Sequence, residues 1–294
     1  MKNENHKKLK TAILGSGLIG TDLMIKIMRS PYLECALFVG RNLQSKGMAK
    51  ALSLGVKISD QSIDAIVNDP GCCDLVFDAT SAHGHKLHAP ILEKLGKIAI
   101  DLTPAQVGAM CVPGVNLNDC RDLKNVNMVT CGGQASIPLA YVVGQVHKDV
   151  EYIEVVSTIS SRSAGPATRA NLEEYIETTE KGIKHFSGAK RTKAILVLNP
   201  AQPCINMQTT VLAKVAKPDM GALIPRVKEM VAVIQKYVPG YELVVEPTLE
   251  NNRILMMIRV QGLGDYLPSY AGNLDIINCA AIAMAEEYAK KTGK

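Results

Sequence analysis

Cys131 is the side chain best placed to act as a nucleophile. It follows the apolar run Val126 to Thr130, is followed at once by Gly132 and Gly133, and precedes a long apolar stretch from about Ile137. The pattern predicts a strand, a tight turn and a helix, with the thiol at the turn. Paired glycines let the backbone bend and leave its amides uncovered, and the positive end of the following helix favours thiolate over thiol. A nucleophile and an oxyanion site then share one turn. A buried, inert cysteine fits the same heptapeptide.

A second motif bears on the chemistry. Gly15-Ser16-Gly17-Leu18-Ile19-Gly20 follows an apolar run, Lys8 to Leu14, and opens a stretch, Leu18 to Met28, with apolar residues at helical spacing. Strand, G-x-G-x-x-G and helix in that order form a dinucleotide fingerprint. Gly15 permits the tight turn, Gly17 lets the backbone approach a pyrophosphate, and Gly20 lets the helix pack on the sheet. Where an acidic residue would grip the ribose, the chain has Gly40-Arg41-Asn42. Asn42 can hydrogen-bond a ribose and Arg41 or Lys46 can reach a 2′-phosphate, so weak discrimination between NAD and NADP is expected. A dinucleotide and a thiol together suggest aldehyde oxidation: the thiolate adds to the carbonyl, hydride leaves, and a thioester remains for phosphate, water or another thiol to take.

The elements that must position these groups alternate. A strand from Glu34 to Val39, helices from Ser45 to Leu54 and around Ile63, a strand from Leu75 to Ala79, a helix from His85 to Leu95, and strands from Ile98 to Leu102 and Val126 to Thr130 predict an α/β domain with a parallel sheet. The alternation then changes. Strands are expected at Ile153 to Ser161, Ala194 to Leu198, Ile205 to Val215, Tyr241 to Glu246 and Arg253 to Gln261, with helices at Asn171 to His185 and Met220 to Tyr237. This is an α+β region with an antiparallel or mixed sheet. The last helix, Ala271 to Lys290, is apolar enough to require burial and is expected to return to the first domain. The division is therefore 1–130 completed by 272–294, and 131–271.

With 294 residues, 47% hydrophobic and 21% charged, two globular domains are expected, and three Phe with no Trp make the core aliphatic. Eight cysteines without paired spacing form no metal pattern and suit a reducing cytoplasm. The net charge of +5 lies in short clusters, Lys7, Lys8 and Lys10 and Lys290, Lys291 and Lys294, which read as solvated ends. Nucleic-acid binding and membrane spanning find no support. His83, His85 and His88 read as a solvated helix start, and His147 and His185 as helix-surface residues.

Several segments resemble one known family. These are Gly15 through Asp22, Phe77-Asp78-Ala79-Thr80-Ser81, Ile100-Asp101-Leu102-Thr103-Pro104, Val126 through Pro138, Ser160 through Asn171 and Tyr266 through Ile276. Together they are similar, nearly end to end, to the acylating acetaldehyde dehydrogenases that work with a 4-hydroxy-2-oxovalerate aldolase. The resemblance implies a Rossmann domain joined to a catalytic and dimerisation domain, the two-domain plan of glyceraldehyde-phosphate dehydrogenase. It implies Cys131 as acyl-thioester nucleophile, a short-chain aldehyde as substrate, NAD as oxidant, coenzyme A as acyl acceptor and a homodimer. It places Thr80, then Ser163, Ala164, Gly165, Pro166, Ala167, Thr168, Arg169, Ala170 and Asn171, in the cofactor cleft and Asn273 at the nicotinamide end. Read without the resemblance, Gly165-Pro166 is a turn and Arg162 and Arg169 are surface charges.

The chain departs from the family where a segment commonly reading M-R-D-T is Met207-Gln208-Thr209-Thr210. The aspartate considered a base for acyl transfer is replaced by Thr209, which cannot act as a base near neutral pH. Leu18 and Ala167 stand where Asn and Gly are common, and the stretch between Tyr241 and Arg253 is trimmed. Two rivals remain: a phosphorylating semialdehyde-type dehydrogenase, and a weakly catalytic subunit that stabilises an aldolase.

Overall fold

The computed structural model describes residues 7–293; Lys294, grouped above with the terminal lysines, lies outside the described residues. The chain divides into two units. One comprises the residues up to Cys111, Leu117–Met128 and the residues from Ala281 on; the other comprises Val112–Asn116 and Val129–Ala280.

The first unit runs β1 (Leu9–Leu14), α1 (Leu18–Arg29), β2 (Leu33–Val39), α2 (Lys46–Ser53), β3 (Ile58–Ser59), α3 (Asp64–Val67), β4 (Leu75–Asp78), α4 (Ala82–Lys94), β5 (Ile98–Asp101), β6 (Ala109–Met110), part of α5 (Pro113–Cys120) and β7 (Asn125–Asn127). Its sheet has the order β3-β2-β1-β4-β5-β7-β6, and every pair is parallel. Strands buried on both faces are mostly apolar, and Ala12, Leu14, Leu37, Val39, Val76 and Ala99 form a core cluster with Ile66 and Leu92. The strand order reverses between β1 and β4, and in a doubly wound sheet the ligand crevice lies at the carboxyl ends of the strands beside that reversal.

The second unit runs α6 (Cys131–Val146), β8 (Val150–Ser160), α7 (Pro166–Ala170), α8 (Leu172–Ser187), β9 (Arg191–Asn199), β10 (Met207–Val215), α9 (Met220–Gln235), β11 (Tyr241–Glu250), β12 (Arg253–Val260) and the start of α10 (Gly272–Lys291). Its sheet has the order β11-β12-β10-β8-β9, with β8–β9 parallel and the other pairs antiparallel. Alternate residues of β8 and β10 are buried, among them Ile153, Val155, Ser157, Thr209, Val211 and Ala213. The trimmed stretch is a tight hairpin whose two turn residues, Asn251 and Asn252, both have positive φ. From Ala281 onward α10 belongs to the first unit, where Tyr288 Oη donates to the carbonyl oxygens of Leu123 at 2.7 Å and Cys120 at 3.0 Å.

Three expectations fail here. The strand before Cys131 stops at Asn127 rather than Thr130, because Val129 takes φ +60° and breaks the ladder. His85 and His88 are buried, not solvated: both Nδ1 atoms meet Asp78 Oδ2, at 3.0 and 2.8 Å. His147 is also buried, its Nε2 accepting from the Asp219 amide at 3.0 Å. The partner of the two α4 histidines lies on β4, so no local spacing reveals it.

The histidine cluster extends to β5 and β7. Asp101 Oδ2 accepts from Asn127 Nδ2 at 2.7 Å and Oδ1 from the Thr103 amide at 2.8 Å, and His85 Nε2 stands 3.6 Å from Asp101 Oδ2. Burial pushes Asp101 up to about 6 despite His85 and the Thr103 hydrogen bonds. Burial opposes charge on His85 too, but Asp78 and Asp101 outweigh it and raise its pKa, while the two imidazoles overcome burial and hold Asp78 below the ordinary carboxylate range. Asp101 and His85 thus bind protons more tightly folded than unfolded. Asp101 contributes stability that is complete below its unfolded value and lost as pH rises to about 6, and the His85 contribution fades above the ordinary histidine value. Asp78 contributes above its unfolded value and loses this in strong acid. We expect the melting temperature of the cofactor-free protein to carry a component that falls between pH 4.5 and 8. Asp101→Asn should flatten that slope whatever it does to absolute stability; parallel curves would exclude the assignment.

Candidate active site

Cys131 opens α6, and Thr130 caps the helix, its Oγ1 accepting from the Gly133 amide at 2.9 Å and lying 2.7 Å from Thr179 Oγ1 of α8. The bend lies at Val129, not at the paired glycines, which sit inside the first helical turn. The glycines serve close packing instead. A Cβ on Gly132 would overlap the Tyr175 hydroxyl of α8, and one on Gly133 would come within 2.8 Å of Val129 Cγ1.

Among the described residues, the side chain hydrogen-bonded to Cys131 Sγ is Tyr175, at 3.7 Å. Burial of the sulfur raises its pKa, and this outweighs the lowering by Tyr175 and by the backbone amides of Gly132 and Cys131. The helix N-terminus therefore pulls toward thiolate as expected, but burial wins. Beyond Tyr175 lies Ser157 of β8, whose Oγ is 3.1 Å from Thr209 Oγ1 on β10. Thr209 is fully buried. It is no solvent-exposed base but the far end of a file of hydroxyls that reaches the thiol.

After β8 the chain makes a short turn into α7. Arg169 clamps this turn: its Nε donates to Ala164 O at 3.1 Å and its Nη2 to Ser161 O and Oγ at 3.1 and 2.9 Å. It is an exposed charge that also ties the turn together. Ser163 and Ala164 are buried, Gly165, Thr168 and Asn171 half-buried and Ala170 exposed; the side chains of Pro166 and Ala167 lie outside the described residues. Asn273 is buried, with Nδ2 3.5 Å from Ser163 O and no partner for Oδ1. A buried amide oxygen left unpaired is a ready acceptor for a bound ligand.

In the first unit the glycine loop is shaped by backbone contacts. Gly15 has φ +113°, and its missing Cβ leaves room for the Ala79 carbonyl at the end of β4; a Cβ on Gly20 would overlap the Gly15 carbonyl. Gly17 caps α1 with nothing within 4 Å of the place its Cβ would take, and the first turn of α1 holds no acidic residue. Open amides, the helix dipole and space together fit a pyrophosphate. Ser16 Oγ lies 3.2 Å from Ser45 Oγ, and Ile19 and Leu18 complete the loop with Leu18 46% exposed. Arg41 and Asn42 are exposed beyond β2, Asn42 Oδ1 accepting from the Gln44 amide at 2.9 Å, and Thr80 Oγ1 donates to Asp78.

Residues 131–268 match the model of the prokaryotic acetaldehyde dehydrogenase dimerisation domain. The chain is 61% identical over 284 residues to an acetaldehyde dehydrogenase from Spirochaeta aurantia, covering 97% of this chain and 96% of that one. It is 58% identical over 288 residues to the acetaldehyde dehydrogenase of Pectobacterium atrosepticum, covering 97% of each. The chain belongs to the prokaryotic acetaldehyde dehydrogenase family. The fold is shared more widely: aspartate semialdehyde dehydrogenase from Candida albicans, crystallised with NADP, aligns with a TM-score of 0.70 over 98% of this chain and all of that one, at 11% identity.

Within this acetaldehyde dehydrogenase fold, Tyr175 and Ser157 are the site residues that sequence reasoning missed. Their signal is a polar residue in a buried row: Tyr175 lies on the buried stripe of α8 with Thr178, Thr179, Gly182 and Ile183, and Ser157 alternates with Val155 and Ile159. Gly47 was missed too, though its Cβ would overlap the Ser16 carbonyl.

The two loop glycines separate fold from ligand. Gly20→Ala should destabilise the chain by about 2 kcal/mol or more, because its Cβ has no room. Gly17→Ala should leave thermal stability nearly unchanged yet raise the KM for dinucleotide about tenfold by occupying the open cradle; a KM equal to wild type would remove Gly17 from the cofactor site.

Proposed function

We propose that this chain oxidises acetaldehyde or a similar short aldehyde and passes the acyl group to coenzyme A through a thioester on Cys131. The observation that carries this reading is a thiol at the first residue of α6, bonded to a buried hydroxyl, in a member of an aldehyde-oxidising family. The Cys131 sulfur, as thiolate, adds to the carbonyl carbon, and the new alkoxide is favoured by the positive end of α6. Departure of hydride from that carbon leaves the acyl thioester. A nicotinamide dinucleotide, for which Gly15 to Gly20, Arg41, Asn42 and Thr80 offer a cradle in the first unit, would supply the hydride acceptor; the resemblance assigns the Ser163 to Asn171 turn and Asn273 to the same cofactor. With no carboxylate at position 209, the acceptor thiol relies on its own ionisation; a free thiol with pKa ~8.5 is a few per cent thiolate at pH 7. Attack by that thiolate expels Cys131 and resets the site. Eight cysteines without paired spacing suit a reducing cytoplasm, and no helix among the described residues is long and apolar enough to cross a membrane.

The second unit also supports a homodimer. Helices α6, α8 and α9 cover one face of the five-stranded sheet, and the opposite face sets Ile195, Val156, Thr210 and Met257 in register across four strands, with Leu212 and Leu255 beside them. Ile195 and Val197 are 37% and 40% exposed. A second copy of this chain would cover that face. A 4-hydroxy-2-oxovalerate aldolase as a further partner rests on the resemblance alone.

Purified chain should form NADH from acetaldehyde in a manner dependent on coenzyme A, with NADP accepted at a rate not many orders of magnitude lower, and Cys131→Ser should reduce turnover at least about a thousandfold. Inorganic phosphate replacing coenzyme A would favour the phosphorylating reading, and no NADH formation would favour the aldolase-stabilising one. Met257→Glu should shift the mass measured by light scattering from dimer to monomer with the fold intact; an unchanged dimer would place the interface elsewhere.

A further inference from the structure

Among the described residues, the proposed nucleophile is paired neither with an imidazole nor with a carboxylate but with a phenol. Tyr175 Oη lies 3.7 Å from Cys131 Sγ, in space that exists because residue 132 has no Cβ. Counting protons decides what this phenol can do. A tyrosine hydroxyl has one proton to give and accepts at its oxygen. As a thiol the sulfur donates to the phenol oxygen; once ionised it can only accept, and the phenol proton then turns to it. Ser157 Oγ crowds the same Gly132 position as the Tyr175 hydroxyl and lies 3.1 Å from the hydroxyl of Thr209, its cross-strand partner in the β8–β10 ladder, where either oxygen can donate. With the phenol proton on a thiolate, these hydroxyls can all point one way, Thr209 to Ser157 to Tyr175 to sulfur.

We propose that Tyr175 is a catalytic hydrogen-bond donor to the Cys131 sulfur, and that Ser157 and Thr209 act as positioning residues that fix the direction of its proton. The role rests on the reading of Cys131 as nucleophile. When the thiol ionises, its proton leaves to solvent; Tyr175 keeps its own and turns it onto the thiolate. Burial and the neighbouring thiol hold the tyrosine far above its ordinary pKa, so it stays protonated throughout and is a donor, never a base. A file of hydroxyls polarised in one direction strengthens its last bond, and charge-assisted bonds are the stronger class.

The orientation makes Thr209 directional. A carboxylate at position 209 can only accept. Ser157 would turn its proton to it and take one from Tyr175, drawing the phenol away from sulfur. Thr209→Asp should therefore weaken thiolate formation, the opposite of the general-base gain expected from the family pattern.

The test is the pH dependence of Cys131 alkylation by iodoacetamide, followed by peptide mapping on the full chain without cofactor. Tyr175→Phe keeps the ring and removes the donor; the midpoint should rise by about one pH unit, with about tenfold slower alkylation at pH 7. Thr209→Asp should shift it in the same direction, and the double variant should shift no further than Tyr175→Phe alone. Ser157→Ala gives a smaller upward shift and serves if either variant is unstable. An unchanged midpoint in Tyr175→Phe, or a lowered one in Thr209→Asp, overturns the proposal. NADH formation that survives Cys131→Ser would instead overturn the nucleophile assignment, and the alkylation profiles would still report whether the phenol bonds the sulfur.

Discussion

Residue 132 has no room for a side chain, and the site depends on that. The Tyr175 hydroxyl fills the place its Cβ would take, so α8 can come close enough to α6 to set a phenol against the thiol. The same two helices meet through other glycines: a Cβ on Gly182 would come within 2.8 Å of Ile137 Cδ1, and one on Gly144 would overlap the Ser187 carbonyl. Thr130 and Thr179 bridge the pair at 2.7 Å. Close packing transmits position with little slack. The helix pair thus holds the sulfur, its cap and its hydrogen-bond partner as one rigid group, against a sheet that supplies Ser157 and Thr209.

The first unit solves a different problem with the same means. Its glycine loop leaves open space at Gly17 while passing close to the backbone around it, and Gly15, Gly20 and Gly47 each make way for a backbone carbonyl. Behind the loop, the carboxyl ends of β4, β5 and β7 carry Asp78, Asp101 and Asn127, with His85 and His88 of α4 turned inward onto Asp78. Two buried carboxylates without those imidazoles would be costly, since buried charge is tolerated only when paired and hydrogen-bonded. The cluster ties α4 and three strands together at the edge where a doubly wound sheet presents its ligand crevice.

How much of this was legible varied with distance along the chain. Glycine spacing after β1, the thiol before a helix and the alternating strands are local patterns, and all appear where the sequence placed them within a few residues. The strand before Cys131 was drawn too long because Val129 is β-branched and apolar, and only the requirement to swing the chain into α6 gives it a positive φ. Gly132 and Gly133 were noticed for a reason that does not hold; they are small for their neighbours, not flexible for a turn. His85 and His88 looked solvated because their partner lies on a strand. Tyr175 reads as an amphipathic-helix residue, since the partner of its hydroxyl, Cys131, lies on another helix.

The sequence by itself determined the order of elements, the parallel and mixed sheets, the glycine loop between strand and helix and the thiol at a helix start, because periodicity, glycine spacing and strand-to-helix junctions are properties of neighbouring residues. Only the tertiary structure decided which polar side chains are buried together and which way their protons point. Those outcomes depend on contacts between residues 44 and 52 positions apart, Cys131 with Tyr175 and Ser157 with Thr209. A hydrogen bond needs two groups within about 3–4 Å at a defined angle, and no pattern read along one strand or one helix contains that distance.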